Sequence, residues 1–158
     1  MPLTGEDEGF LRRALELASE ARASGNHPFG ALLVGPDGTV LAEARNSVVT
    51  ERDATGHAET NLVRLAGRVD ADLRACTLYT STEPCAMCAG AIYWSGIGRV
   101  VYGLSEVELL ELTGTGNPDN PTLALPSREV FARGQRPVVV DGPSLEAEAR
   151  AVHDGFWT

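Results

Sequence analysis

Cys76-Thr77-Leu78-Tyr79-Thr80, Cys85-Ala86-Met87-Cys88-Ala89-Gly90-Ala91-Ile92-Tyr93-Trp94 and Arg99-Val100-Val101-Tyr102 follow one another closely, and their order decides the fold. The first and last are short apolar runs rich in β-branched and aromatic residues, which read as strands. The middle run is long enough for a helix, and Pro84 just ahead of it suits a helix start. Strand, helix and strand in that order require a parallel pair joined by a right-handed crossover.

Working outward, Phe10, Leu11, Ala14, Leu15, Leu17, Ala18 and Ala21 recur at helical spacing and stop at Ser24-Gly25-Asn26. Ala31 to Val34 and Thr39 to Ala44 read as strands. Between them Gly35-Pro36-Asp37-Gly38 is strong turn chemistry, which predicts an antiparallel hairpin. A second helix is expected from about His57 to Leu65, ending near Gly67. Beyond Tyr102, Leu104 to Leu112 reads as a short helix. Residues Thr113 to Pro137 are rich in Gly, Pro, Asn and Thr and read mostly as loop, around a short helical turn near Arg128. Val138 to Val140 is the last expected strand. Ser144 then caps a final helix reaching about Val152, within a helical C-terminal segment of about 144–155. No internal repeat or low-complexity segment interrupts this pattern. The expectation is one α/β domain over residues 1–158, a three-layer α/β/α sandwich around a mixed sheet of about five strands.

At 158 residues, with 43% hydrophobic and 22% charged, the chain suits a soluble domain with a sizeable core. No stretch approaches the ~20 consecutive apolar residues of a membrane span. Met1 to Glu8 is acidic and lacks a secretory signal's basic start and apolar stretch, so a cytoplasmic protein is expected. The net charge is −9, and all 13 basic residues are Arg. Nucleic-acid affinity comes largely from basic groups displacing counterions, so a nucleic-acid partner is not expected.

The chemistry sits in two short segments. Cys85 and Cys88 lie one helical turn apart, where unpaired N–H groups and the helix dipole favour thiolate. Alone, this spacing reads as a zinc site, a redox pair or coincidence. Cys76, inside an apolar strand, reads as a small buried hydrophobe. His57 would complete three ligands, leaving the open fourth position of a catalytic zinc. Glu59, two residues on, could reach a metal-bound water, whose pKa zinc lowers to about 7, and move its proton. A redox pair would leave His57 and Glu59 without a role. A four-ligand structural zinc would need His27, His153 or Cys76, none of which has ligand-like spacing to the pair.

The joined pattern, His57-Ala58-Glu59 followed by Pro84-Cys85-Ala86-Met87-Cys88, is the zinc deaminase signature. From Pro28 to Gly103 the chain resembles the cytidine deaminase-like superfamily. It is most similar to the branch of guanine deaminases, fungal-type cytosine deaminase and tRNA adenosine deaminases. Pro28-Phe29-Gly30-Ala31, Asn46 and the run from Tyr79 to Trp94 carry the rest of the likeness.

The resemblance implies a Zn2+ cofactor held by His57, Cys85 and Cys88, and Glu59 as catalytic proton shuttle. It implies hydrolysis of a ring's exocyclic amine to ammonia, with the N–H groups of Ala58 and Cys85 binding oxygen. Asn46 would hydrogen-bond the base; as a bare residue it is equally a turn former. Phe29 and Trp94 offer flat faces for a ring, or core packing. Phe156 and Trp157 either pack the last helix or close over the pocket, where Asp154 would be a polar contact. A homodimer is implied as well.

For substrate, Tyr93-Trp94 and the aromatic C-terminus resemble the guanine deaminases, whereas Ser95 to Gly103 resembles the tRNA and cytosine enzymes. Glu106, Glu108, Glu111 and Asp119 do not reproduce the guanine deaminases' acidic segment. A free base or nucleoside is expected, guanine or a related aminated ring first and cytosine second. The alternative of another class is a binding module that keeps zinc as a staple.

Overall fold

The computed structural model describes residues 3–157. Its elements in order are helix α1 (Gly5–Ala23), strands β1 (Gly30–Val34) and β2 (Val40–Arg45), and helix α2 (Ala58–Ala66). A 3₁₀ turn at Leu73–Ala75 leads into β3 (Thr77–Thr82), α3 (Ala86–Ser95), β4 (Arg99–Leu104) and α4 (Glu106–Thr113). Helix α5 (Ser127–Ala132), strand β5 (Val139–Asp141) and helix α6 (Glu146–Ala151) complete the chain. The strands form one five-stranded sheet in the order β2-β1-β3-β4-β5. β1 and β2 are the antiparallel hairpin, and β1 also runs antiparallel to β3. The pair β3 and β4 is parallel, with Leu78 opposite Val100 and Thr82 opposite Leu104, and β5 extends it in parallel. The mixed α/β sheet expected from sequence is therefore present.

The alternation of a strand sorts β1 between two cores. Ala31 and Leu33 pack with Leu62 and Ala66 of α2, Ala89 and Ile92 of α3, and Phe131 of α5. Leu32 and Val34 point the other way, onto Leu11, Ala14 and Leu17 of α1. Each such Leu or Ile, fully buried, stabilises the fold by about 1.5–3 kcal/mol. Gly30 permits the closest approach between layers: a Cβ there would lie 2.5 Å from Leu17 Cβ and from Ala18 N. No described helix is long and apolar enough to cross a membrane.

Leu104, expected to open a helix, ends β4 instead, and three other boundaries that differ from expectation have a local cause. α1 begins well before Phe10, because Thr4 and Asp7 form a capping box: the Thr4 hydroxyl accepts the Asp7 N–H and the Asp7 carboxylate accepts the Thr4 N–H. Ser144 does not cap α6. Its N–H donates to Gly103 O at 3.1 Å, which holds it beside β4, and Leu145 in a left-handed conformation starts the helix instead. α6 is correspondingly short, and turns carry the chain on to Phe156. Thr158 and the first two residues lie outside the described range. Third, α3 opens at Ala86, so Cys85 itself is the N-cap and Pro84 precedes it.

The segment between α4 and β5 is mostly loop around α5, and Arg136 ties its end to α3. The guanidinium donates to the carbonyls of Ile92, Tyr93 and Ile97 and lies 5.0 Å from the centre of the Tyr93 ring. Carbonyls left unpaired at a helix C-terminus are satisfied in this way.

Candidate active site

Helices α2 and α3 both begin at the end of the sheet where β3 ends, and their first turns face each other. His57 is the N-cap of α2 and Cys85 the N-cap of α3, with Cys88 in the first turn of α3. His57 Nδ1 lies 3.6 Å from the sulfur of each cysteine, and the three donor atoms all fall within 4.8 Å of one another. Thr60 Oγ1 is 3.2 Å from Cys88 Sγ, so that sulfur has a hydroxyl partner too. The Cys85 thiol is driven far below its ordinary range, first by the hydrogen bond from Cys88 and then by His57; Cys88 is driven up in the same exchange. One negative charge is thus shared between two sulfurs that face two helix N-termini.

His57 and Cys85 line a cavity of about 510 Å³, whose wall also includes Phe29, Asn46, Glu59, Thr82, Glu83 and Glu106. Glu59 is 5% exposed, and burial, then the charge of Cys85, pushes its carboxyl up to about 7. Asn46 combines both of its sequence readings. Its Oδ1 accepts the Val48 N–H at 3.1 Å, a turn contact, and the residue also lines the cavity. Ala58 opens α2, so its N–H is one of the helix's unpaired donors beside the three-donor group.

Over residues 4–104 the chain matches the model of the cytidine and deoxycytidylate deaminase zinc-binding region. The chain belongs to this deaminase family. It is 44% identical to a probable cytosine deaminase of Schizosaccharomyces pombe over 98% of this chain and 94% of that one. A guanine deaminase of Bacillus subtilis is 45% identical over 66% of this chain and 68% of its own. The solved structure of a guanine deaminase from Nitrosomonas europaea superposes with a TM-score of 0.74, at 27% identity, over 96% of this chain and 84% of that one. As a member of the family the chain is a zinc-dependent hydrolytic deaminase acting on a nucleobase or nucleoside.

The deaminase's donor set fits zinc. Bond lengths of about 2.3 Å to sulfur and 2.05 Å to nitrogen put neighbouring donors of a tetrahedral centre about 3.6 Å apart, the separation found between His57 and each cysteine. Two thiolates and a neutral imidazole also balance the ion's charge. Metal analysis of protein purified without chelator is expected to give one zinc per chain, and Cys88→Ala is expected to lower that content at least tenfold. Zinc-free protein, or full content in the variant, would remove the assignment.

Several residues expected at the site stand elsewhere. Trp94 is 85% exposed on the outer side of α3, its ring against Tyr93, and does not line the cavity. Asp154 is exposed in the turns after α6, away from the cavity wall. Phe156 and Trp157 are not in the wall either. They pack behind it, on His27 at 5.9 and 5.3 Å between ring centres, and Trp157 lies 6.2 Å from Phe29. A bond from Trp157 Nε1 to His153 Nδ1 at 2.9 Å holds this second row. His27 and Phe29 are the aromatic groups that do face the cavity.

The sequence reading gives no role to the wall residues Thr82 and Glu83, and it does not single out Glu106 from Glu108, Glu111 and Asp119. The Glu83 carboxylate accepts the N–H of Glu106 at 3.1 Å, and the N–H and hydroxyl of Ser127 at 2.9 and 2.8 Å. It therefore fastens the starts of α4 and α5 to the end of β3. Glu106 is 5% exposed, and burial, then the charges of Cys85, Glu59 and Glu83, pushes its carboxyl up to about 8.

Proposed function

We propose that this deaminase hydrolyses the exocyclic amine of a free nucleobase, with guanine or a related aminated ring first. The observation that carries this reading is the buried Glu59 carboxyl in the same cavity wall as His57 and Cys85, two of the three clustered donors. Zinc held by those three residues would supply an activated water, with its pKa lowered to about 7. Glu59 is not one of the three donors, so its carboxylate is free to take the water's two protons in turn, handing the first to a ring nitrogen and the second to the departing amine. The N–H groups of Ala58 and Cys85, fixed by their helices, donate to oxygen that gains charge on the substrate. Asn46 orients the ring edge and Phe29 offers it an aromatic face. A structural staple would have no use for a buried carboxyl beside its metal, which disfavours the binding-module alternative.

Cytosine is the second reading, and the Schizosaccharomyces pombe relative, matched over nearly its whole length, favours it. The net charge of −9 disfavours tRNA. Ammonia release measured over guanine, adenine, cytosine, isocytosine, aminotriazines and the corresponding nucleosides separates these. Turnover of at least one free base, faster than its nucleoside, is expected. Activity confined to a tRNA anticodon stem would overturn the proposal.

A further inference from the structure

Glu106 and Thr82, two side chains of the cavity wall, have no hydrogen-bond partner among the described residues. Glu106 is 5% exposed, yet no described side chain or backbone group donates to its carboxyl, and it belongs to no described ion pair. Thr82 is 3% exposed, and its hydroxyl is buried without a hydrogen bond. Both line the cavity that also holds Glu59, His57 and Cys85. Their placement is set by the sheet: Thr82 stands opposite Leu104 in the parallel register, and Glu106 follows two residues later as the first residue of α4. The position is also rigid. Glu83 accepts the Glu106 N–H at 3.1 Å, and the Ser105 hydroxyl caps the same helix by accepting the Glu108 N–H at 3.2 Å.

Burying a carboxyl without a donor costs several kcal/mol, and natural proteins leave such groups mainly where a ligand completes them. The charges around Glu106 are mostly of its own sign, from Cys85, Glu59 and Glu83, and no arginine comes to it. A group so placed is an acceptor waiting for an N–H.

We propose that Glu106, with the Thr82 hydroxyl beside it in the wall, reads a ring N–H of the substrate on an edge away from the amine that is lost, and so selects free bases over rings alkylated at that nitrogen. This deepens the deaminase reading above and rests on it. Guanine and cytosine as free bases both carry such an N–H, and a glycosidic bond replaces one in the nucleoside. A buried acceptor discriminates because the ring lacking the donor leaves it unpaired.

The experiment compares kcat/KM for the best free base and its N-methylated forms in the zinc-loaded wild type, Glu106→Leu and Glu106→Gln. Glu106→Leu is expected to lose about 10-fold on the free base, mostly in KM, the worth of a well-formed hydrogen bond to a buried carboxyl. Its preference for the N–H over the N-methyl ring should fall to within about threefold. Glu106→Gln keeps an acceptor and should lie between the two, and it serves alone if the leucine variant does not fold. Zinc content should be unchanged in both. A wild type that deaminates bases, with the preference intact in a zinc-loaded variant, overturns this proposal and leaves the deaminase reading standing. A wild type that releases no ammonia from any base overturns both.

Discussion

Glu59→Gln is expected to lower ammonia release about 10⁴-fold in kcat while zinc content and fold stay as they are. The two outcomes separate because Glu59 stands beside the His57, Cys85 and Cys88 group without belonging to it. Glutamine has the same shape and keeps the packing, but its amide neither accepts nor returns a proton at neutral pH. General acid–base catalysis contributes 10² to 10⁴ for a well-placed group, and one carboxylate serving successive transfers puts the loss at the upper end. Stability should hold or rise slightly. The native carboxyl is 5% exposed and pushed up to about 7 by burial, so removing it relieves a cost of folding. Ammonia release, elemental analysis and thermal melting on the same preparation check all three. Activity within tenfold of wild type would take the proton-shuttle role away from Glu59.

The parts of this site that the sequence discloses are those held by local chain. His57 and Glu59 share one helix start, and Cys85 and Cys88 share another, so spacing alone brings each pair together. The strand, helix and strand around the cysteines then fixes the parallel pair that presents them. Thr82, Glu83 and Glu106 are different, because each is meaningful only through the β3–β4 register and the loop that carries Ser127 back to Glu83. Nothing in the neighbours of Glu106 along the chain marks it apart from Glu108 or Glu111. Trp94 is a misreading that helical geometry explains. It lies six positions beyond Cys88, about 240° around a helix of 3.6 residues per turn, and so faces away from the metal donors. Ile92, four positions on, returns to the inner side and is fully buried. The C-terminal aromatics were read as either packing or closure. They pack, but on the backs of the two aromatic wall residues, which makes the last turns a support for the cavity.

Away from the site, Arg99→Met is expected to cost about 3–5 kcal/mol at pH 7, the effect of leaving buried charge without its partner. Arg99 starts β4 and its guanidinium sits between two carboxylates. It donates to Asp7 at 2.9 and 3.2 Å and to Asp141 at 2.9 Å, and both acidic side chains are 8% exposed. Asp7 is the capping residue of α1 and also accepts the Tyr79 hydroxyl at 2.6 Å, so this cluster joins α1 to the sheet. Burial alone would raise the Asp7 carboxyl. The bonds from Arg99, the Thr4 N–H and Tyr79 outweigh it and hold the group well below the usual carboxylate range. A folded-state value depressed in this way stabilises the protein fully above the unfolded value, about 3.9, and that contribution is lost only as pH falls on through the much lower folded-state value. In Arg99→Met the burial remains while the guanidinium is gone, so Asp7 shifts upward and the variant loses stability as pH rises past about 4. The difference from wild type should therefore already be present at pH 4, widen towards pH 7, and shrink only as pH falls well below 4. Denaturant unfolding across that range measures it, and zinc loss at the acidic end cancels because both proteins carry the same donors. A deficit that stays constant with pH would mean that Arg99 acts through the packing of its aliphatic stem instead of its charge.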